Sequence, residues 1–404
     1  MAGEPGPGYV VGGRYELIEI AGRGGMADVW RGRVRGDHGF TRPIAIKQMH
    51  TALGKQPLYV KMFLEEARVG AMLDSPNVAE VHDFVSQDDH HFVVMEWIDG
   101  IDLGSWIKWH VARKEATRWE LIAAIGIGIL RGLAAAHERT DDSGKIHPII
   151  HRDVSPHNVL LTTRGMVKLI DFGLALTDDR PEETTDPGVV KGKMSYLAPE
   201  IVAGGRPLPA SDQFATGSVL WESLVGRKLF DGATDYETYV KLRDCVVQPL
   251  RPVRSDVPAH FATLVHRALS AKPDDRFPNV REMARQLGTA LKKVQLRRDL
   301  HSVLARSVID ARAAMGLGLR TGDPSTATPI ADLLPDALTP PELPMPPAPA
   351  DGSAASRAAC ATACRRSSAA SGAEFVWRRS ATWSRRAALS FFGGEALPGR
   401  GERR

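Results

Sequence analysis

The chain has 404 residues, of which 43% are hydrophobic and 25% are charged, so it is long enough for roughly two or three folding units with a sizeable core. Its formal net charge is only +4, and the basic surplus lies after Leu291 rather than on the body of the chain, so we expect no nucleic acid partner. Three cysteines are too few for a disulfide framework and favour a reducing, cytoplasmic location. Because no run of about 20 apolar residues occurs, we expect no membrane span.

The first hundred residues are rich in predicted strands. After a Gly- and Pro-rich start over 1–14, which we expect to be flexible, apolar residues alternate from Tyr15 onward. Over 43–47 the alternation places Ala45 and Lys47 on the same face of a strand. The other elements predicted here are a helix over about 58–73 and strands near 78–85 and 91–96.

Helical patterns replace the strands after residue 100. Apolar residues over 122–136 recur at helical spacing and predict the buried face of a long helix. Short strands are predicted over 151–153 and 167–171, and further helices follow to about residue 290. This order of elements predicts an α+β fold in two lobes.

The predicted domain covers residues 15–290. Its small lobe, about 15–99, is β-rich with one main helix, and its large lobe, about 100–290, is α-rich. Residues 291–404 contain a proline-rich linker and a basic low-complexity tail without a lasting helical or strand period, so we predict that this segment is disordered.

A glycine cluster lies between the first two predicted strands. Gly22, Gly24 and Gly25 leave backbone N–H groups open to phosphate oxygens, because no Cβ blocks the approach. Lys47 follows on the next predicted strand. Each signal is weak on its own, since glycine-rich hairpins are common and a lone lysine on a strand is usually solvated.

The most specific stretch is His-Arg-Asp-Val-Ser-Pro-His-Asn over 151–158. Asp153 and Asn158 lie five residues apart in it, so a carboxylate able to accept a hydroxyl proton and an amide oxygen able to bind a metal share one loop. Asp171 follows an apolar strand and precedes Phe172 and Gly173, which places it well as a second metal ligand. Each piece alone could be an ordinary turn, but the ordered set with the glycine cluster and Lys47 is very improbable by chance.

The ordered set resembles the bacterial eukaryotic-like (Hanks-type) serine/threonine protein kinases over about residues 15–290. The resemblance implies a bilobal fold that binds ATP in its cleft with Mg²⁺, or with Mn²⁺ as an alternative, and transfers the γ-phosphate to protein Ser/Thr hydroxyls. The alternative is a pseudokinase-like scaffold that binds nucleotide without transfer. It is disfavoured because Lys47, Asp153, Asn158 and Asp171 are all present. The sequence indicates neither the protein substrate, the activating signal nor the oligomeric state.

The resemblance also implies a role for each motif residue. Asp153 orients or deprotonates the substrate hydroxyl, Asn158 and Asp171 bind the metal, and Lys47 holds the α- and β-phosphates. Met95 resembles the gatekeeper of the adenine pocket, Glu96 to Ile98 the hinge that hydrogen-bonds adenine, and Asp102 the ribose contact. The implied ATP contacts are Ala21, Gly22, Gly24, Gly25, Val29, Ala45, Lys47, Met95, Glu96, Ile98, Asp102 and Leu160.

Structural and regulatory residues follow from the same resemblance. Lys47 is expected to pair with a glutamate of the following helix, for which Glu66 matches best and Glu65 is the alternative. Arg152 is expected to bind a phosphate on the activation segment. Thr184 and Thr185 are the expected sites of autophosphorylation; the alternative is that they are unmodified loop residues. The remaining residues of this group are Phe172 and Gly173 after the metal ligand, Asp212 as a brace of the catalytic loop, and Glu200 as the ion-pair partner of Arg276.

The chain departs from the family pattern at three positions. Ala27 replaces a glycine, which should be tolerated. Ser155 stands where the pattern expects lysine, and Lys193 stands where it expects threonine. One hypothesis is that Lys193 supplies the charge missing at Ser155. The alternative is that Lys193 is solvated and the enzyme is slower.

Overall fold

The computed structural model describes residues 4–140, 143–172, 194–293 and 299–317. Its first part is a six-stranded antiparallel sheet with the strand order β1-β2-β3-β4-β6-β5. Two helices, α1 (Thr51–Gly54) and α2 (Pro57–Ala71), lie between β4 and β5 in the chain. The strands are β1 Val10–Val11, β2 Tyr15–Arg23, β3 Ala27–Arg35, β4 Thr41–Met49, β5 Val81–Gln87 and β6 His90–Glu96.

Strand β4 is apolar on both faces, and this fixes α2 against the sheet. Ile44 and Ile46 are buried in an apolar cluster on one face. Met49, on the other face, is buried in a separate cluster with Phe63 of α2. Because side chains alternate along a strand, Lys47 lies on the same face as Met49, which is the face that α2 covers.

The second part is mainly helical, so the predicted order of a strand-rich lobe followed by a helical lobe is confirmed. A three-stranded antiparallel sheet, β7-β8-β9, lies within it. Its strands are β7 Gly100–Asp102, β8 Val159–Thr162 and β9 Val167–Leu169. The helices are α3 Leu103–Ala112, α4 Trp119–His137, α5 Pro199–Val202, α6 Pro209–Val225, α7 Asp235–Arg243, α8 Leu250–Val253, α9 Ala259–Ala268, α10 Val280–Lys292 and α11 Leu300–Ala314.

Helix α4 forms the centre of the large lobe. Its predicted buried stripe is fully inaccessible at Ile122, Ile125, Ile129 and Leu133. Among the described residues, α4 is the one helix long and apolar enough to cross a membrane, and 72% of its apolar window is buried inside the protein. That degree of burial is typical of a core helix in a globular domain.

The strand predicted over 151–153 is not formed. Arg152 adopts a left-handed conformation with φ 66°, which interrupts any strand at this point. The backbone N–H groups of His151 and Arg152 donate instead to the carboxylate of Asp212, at 2.9 and 3.0 Å. A side chain from α6 therefore satisfies the backbone groups that a strand partner would have used.

The prediction of disorder after residue 290 is wrong for the first part of that segment. Helix α10 continues to Lys292, and α11 forms a further helix that packs on the large lobe. Leu304, Val308 and Ala311 on α11 are all buried. These residues recur at helical spacing, and Asp299 caps the helix by accepting from the Ser302 N–H at 2.9 Å. This helical spacing is short and contains no motif, so the low-complexity composition of the segment dominated the prediction. Residues 318–404 lie outside the described part of the chain.

Candidate active site

The centre of the candidate site is Lys47, which is held between two carboxylates. Its Nζ lies 2.5 Å from Oε1 of Glu66 and 2.8 Å from Oδ1 of Asp171. Lys47 comes from β4, Glu66 from α2, and Asp171 from the segment that follows β9. The lysine side chain is only 13% exposed. One ammonium group therefore joins the sheet, the helix and the large lobe.

The charges of this cluster are tightly coupled. Burial opposes the charge on Lys47, but the carboxylates of Asp171 and Glu66 outweigh it and raise the pKa of the ammonium. Burial raises the pKa of Glu66 to about 7, and the nearby Asp171 adds to this while Lys47 opposes it. Two carboxylates share one buried cation, so the cluster carries a surplus of negative charge whenever both are ionised.

The structure distinguishes between the two glutamates proposed as partners of Lys47. Glu65 pairs with Arg68 at 2.5 Å on the exposed side of α2, whereas Glu66 faces Lys47. Consecutive residues of a helix point about 100° apart, so only one of them can face the sheet. The orientation of α2, set by Phe63 and its apolar neighbours, selects Glu66.

The loop that carries Asp153 and Asn158 is held by its own hydrogen bonds. Asn158 Nδ2 donates to the carbonyl oxygen and to Oδ2 of Asp153, both at 2.8 Å. The Ile170 N–H donates to the Asn158 carbonyl at 3.0 Å, which places the residue before Asp171 beside Asn158. Asp153, Asn158 and Asp171 are therefore brought to one place, although 13 residues separate the last two in the sequence.

These residues suit a divalent cation. Asn158 uses its amide nitrogen within the protein, which leaves its amide oxygen as the atom that can serve as a ligand, and Asp171 supplies a carboxylate. Mg²⁺ prefers such oxygen ligands and is usually held by one or two carboxylates together with substrate phosphates. Among the residues that the structure describes, no group of three His, Cys, Asp or Glu side chains forms a self-sufficient metal site. A metal here would therefore depend on the phosphates as well.

Asp212, on α6, braces the loop that carries Asp153 and Asn158. It is 1% exposed and accepts from two backbone N–H groups of the loop, as described above, while its Oδ2 lies 2.7 Å from Nε2 of His137. His151 is completely buried, and burial lowers the pKa of its imidazole, which favours the neutral ring. The ring packs 4.5 Å from that of Phe172.

Two residues of the site have strained backbones. Arg152, at φ 66°, and Asp171, at φ 52°, adopt the left-handed conformation that is costly for residues other than glycine. Each such residue costs about 1–3 kcal/mol and persists only where its surroundings fix it, which is common at functional sites. The bonds of Asp212 to the loop and of Lys47 to Asp171 provide that support.

The pairing of the strands places several of the proposed ATP contacts near Lys47. Gly22 pairs with Val29 across β2 and β3, and Val29 pairs in turn with Lys47. Ala45 lies opposite Met95 on β6. Ala21 precedes this group on β2, Gly24 and Gly25 form its turn, Leu160 lies on β8 opposite Asp102, and Ile98 follows β6.

Two of these residues already have partners inside the protein. The carboxylate of Asp102 accepts from the Ser105 N–H at 3.0 Å at the start of α3 and lies 3.0 Å from His157 Nδ1. Burial works against this charge, but His157 and Ser105 outweigh it and lower the pKa of Asp102. The N–H of Glu96 donates to the Glu80 carbonyl at 2.9 Å, so it is not available to a ligand.

The side chain of Glu96 forms an ion pair with Lys168. Lys168 lies on β9 in the large lobe, three residues before Asp171, and also donates to the Val78 carbonyl at 3.2 Å. Sequence reasoning missed this residue. The available signal was a single charge inside an otherwise apolar strand that leads into a metal ligand.

The ion pair of Glu200 and Arg276 lies away from the cleft. The Arg276 guanidinium binds both oxygens of Glu200, at 2.8 and 2.7 Å, and also donates to backbone carbonyls. Arg276 is 1% exposed. Gly173, Thr184, Thr185 and Lys193 lie outside the described residues, so the proposed phosphorylation and the proposed exchange with Ser155 have no structural counterpart here.

Comparison with known proteins agrees with this geometry. The family model "Protein kinase domain" matches residues 15–287, and the chain belongs to this family. It is similar to the tyrosine-protein kinase MasK of Myxococcus xanthus, with 33% identity over 279 residues, which are 69% of this chain and 43% of that protein. It is also similar to the serine/threonine-protein kinase PknA of Mycobacterium tuberculosis, with 31% identity over 278 residues, 68% of this chain and 60% of that protein.

Solved structures show the same fold. The crystal structure of the Mycobacterium tuberculosis PknI kinase domain matches with a TM-score of 0.53 and 26% identity, over 70% of this chain and 98% of that one.

The serine/threonine-protein kinase PrkC of Bacillus subtilis is a further sequence relative, 28% identical over 330 residues, 79% of this chain and 48% of that protein. The chain thus spans between about two-fifths and three-fifths of the curated relatives that it matches.

Proposed function

We propose that this protein is a serine/threonine protein kinase that transfers the γ-phosphate of ATP to protein hydroxyl groups. The observation that carries the proposal is the position of Lys47 between Glu66 and Asp171, beside a loop on which Asp153 and Asn158 are bonded to each other. Residues from two lobes meet here with the chemistry that phosphoryl transfer requires, namely a cation for phosphates, a base and oxygen ligands for a metal.

Each residue has a distinct task in this proposal. Lys47 binds the α- and β-phosphates, and Glu66 keeps its ammonium in place. The carboxylate of Asp153 orients the attacking hydroxyl and accepts its proton, while the bond from Asn158 Nδ2 fixes the direction of that carboxylate. Asn158 and Asp171 are the ligands for Mg²⁺, or for Mn²⁺ in its place. When bound, the metal neutralises charge on the transferred phosphoryl group.

The choice of serine and threonine as acceptors is supported by relatives that carry this name, such as PknA and PrkC. Tyrosine is the second candidate, because MasK is named a tyrosine-protein kinase and Ser155 replaces the lysine that marks Ser/Thr kinases in the family pattern. The protein substrates are unidentified. The proposal also includes autophosphorylation at Thr184 or Thr185, with Arg152 as the residue that binds the new phosphate, and a cytoplasmic location.

The test is transfer of label from γ-labelled ATP with Mg²⁺ to the protein itself and to a generic basic protein. The variant Asp153→Asn replaces the carboxylate that would act as the base with an amide of similar shape. We expect transfer to fall by about 10²–10⁴-fold while ATP still binds. Acid hydrolysis of the labelled protein should yield phosphoserine or phosphothreonine, and mass spectrometry should place phosphate between Phe172 and Glu200.

Three other outcomes would change the conclusion. Labelled phosphotyrosine alone would replace serine and threonine with tyrosine as the acceptor. Binding of ATP without transfer by the unmodified protein would favour a nucleotide-binding scaffold. Absence of phosphate between Phe172 and Glu200 in an active preparation would remove the autophosphorylation proposal alone.

A further inference from the structure

We infer that helix α11, which lies beyond the end of the family match at residue 287, positions the nucleotide-binding edge of the cleft through Arg312. The inference rests on the proposed function, since it concerns the ATP contacts that the kinase resemblance implies. Arg312 is a positioning residue and does not itself touch the nucleotide.

The contacts of Arg312 carry the argument. Its Nη1 donates to the Gly100 carbonyl at 2.8 Å, and its Nη2 lies 2.9 Å from Oδ1 of Asp99. The arginine side chain is only 11% exposed. A guanidinium presents its N–H groups in a fixed planar arrangement, so two simultaneous bonds define both the position and the direction of the segment they hold.

That segment connects the proposed adenine and ribose contacts. Ile98 immediately precedes Asp99, and Asp102 ends strand β7, which begins at Gly100. The backbone of β7 packs so closely on β8 that a Cβ at Gly100 would lie 2.2 Å from the Leu161 carbonyl oxygen. A shift of β7 would therefore displace Asp102 and, through β8, its strand neighbour Leu160, which are both among the implied ATP contacts.

Helix α11 holds the other side of Asp102 as well. Helix α3 starts directly after Asp102, and its buried Trp106 donates from Nε1 to Ser307 Oγ on α11 at 2.9 Å. Asp102 thus lies between two points that are fixed to the same helix. Asp99 receives further support from Thr163 on the large lobe, at 3.1 Å between Oγ1 and Oδ2.

The experiment compares ATP binding and stability in four full-length proteins. Arg312→Ala removes both polar bonds. Val308→Ala creates a small cavity under the same helix without touching those bonds, and Arg306→Ala removes an exposed charge from a different face of α11. For each protein, the Kd of ATP is measured by calorimetry, the Tm by thermal unfolding, and the KM and kcat by labelled transfer.

We expect Arg312→Ala to raise the Kd and KM of ATP about tenfold, as expected for the loss of one charged hydrogen-bonded contact, with kcat at saturating ATP within about twofold of the unmodified protein. Val308→Ala should lower the Tm while leaving the Kd within about twofold, because a cavity affects stability and not the segment at Asp99. Arg306→Ala should change neither quantity. If Arg312→Ala does not fold, Arg312→Lys serves instead, and we expect a smaller rise of about threefold, since one ammonium cannot reproduce both bonds.

An unchanged Kd in the Arg312 variant would overturn the inference. So would an equal rise in Val308→Ala at a matching loss of Tm, because α11 would then act only through general stability. If the unmodified protein binds ATP but transfers no phosphate, the proposed kinase activity fails and the effect of Arg312 on ATP affinity can still be scored. If it binds no ATP, both fail.

Discussion

Two buried cations in this protein hold carboxylates in different ways. Arg276 lies deep in the large lobe, and all of its N–H groups have acceptors: both oxygens of Glu200 and the carbonyls of Ser270, Ala210 and Ala271. Lys47 lies in the cleft and faces two carboxylates, those of Glu66 and Asp171, with a single ammonium.

The contrast separates a structural ion pair from the cluster proposed to bind phosphates. The charge of Arg276 is balanced and its bonds are complete, so nothing is left for a ligand to satisfy. The cluster at Lys47 has more negative than positive charge, and the pKa of Glu66 is raised there, whereas the pKa of Glu200 is lowered because Arg276 outweighs the effect of burial. A cluster in a cleft with unbalanced charge and strongly shifted pKa values is typical of a ligand-binding site.

The largest effect should come from Arg276→Met. Removing the guanidinium leaves the carboxylate of Glu200 without its opposite charge, with the Ser211 hydroxyl as its remaining side-chain donor, and leaves several buried carbonyls without this donor. We therefore expect the free energy of unfolding to fall by about 3–5 kcal/mol. Urea denaturation followed by fluorescence measures it. Arg285→Ala is the matched control, because Arg285 is exposed and its ion pair with Glu282 is screened by solvent, so this variant should change stability far less. Equal losses in the two variants would contradict the structural role of Arg276.

Lys47→Ala should reverse the pattern. We expect kcat/KM for phosphoryl transfer to fall by about 10²–10³-fold, as for other cations and donors that stabilise transferred charge. Stability should change by about 1 kcal/mol or less, because Glu66 can take up a proton and neutralise the remaining charge. Lys61→Ala, an exposed change on α2, is the control for both assays. A loss of stability as large as that of Arg276→Met would mean that Lys47 is mainly structural.

The smallest expected effect concerns pH. The pKa of Glu200 in the folded protein lies below its ordinary value of 4.5, so its contribution to stability is present above pH 4.5 and is lost as the pH falls below it. At pH 7, Glu200→Gln should lower the free energy of unfolding by about 2 kcal/mol, as for a hydrogen bond to a charged group. The difference between the two proteins should shrink in acid. A difference that stays constant down to pH 3 would contradict this account.

Short motifs let the sequence predict much of the site. The types and spacing of Asp153, Asn158 and Asp171 match the chemistry of the proposed function, which needs a base and metal ligands on one short loop and one strand end. The long buried stripe of α4 was equally readable, because helical periodicity over 15 residues is a strong signal. The prediction of a strand over 151–153 was wrong because Asp212, from a helix distant in the sequence, accepts the backbone hydrogen bonds of this segment.

The sequence by itself determined which residues could do the chemistry and that a strand-rich lobe precedes a helical one. The tertiary structure decided which of them meet. Lys47 and Asp171 lie 124 residues apart, and Arg312 reaches Gly100 across 212 residues. Local patterns report the conformation of a few neighbouring residues, whereas the partner of a distant side chain depends on how whole elements pack. The choice of Glu66 over Glu65, and the docking of α11 against Asp99 and Gly100, are therefore properties of the folded protein.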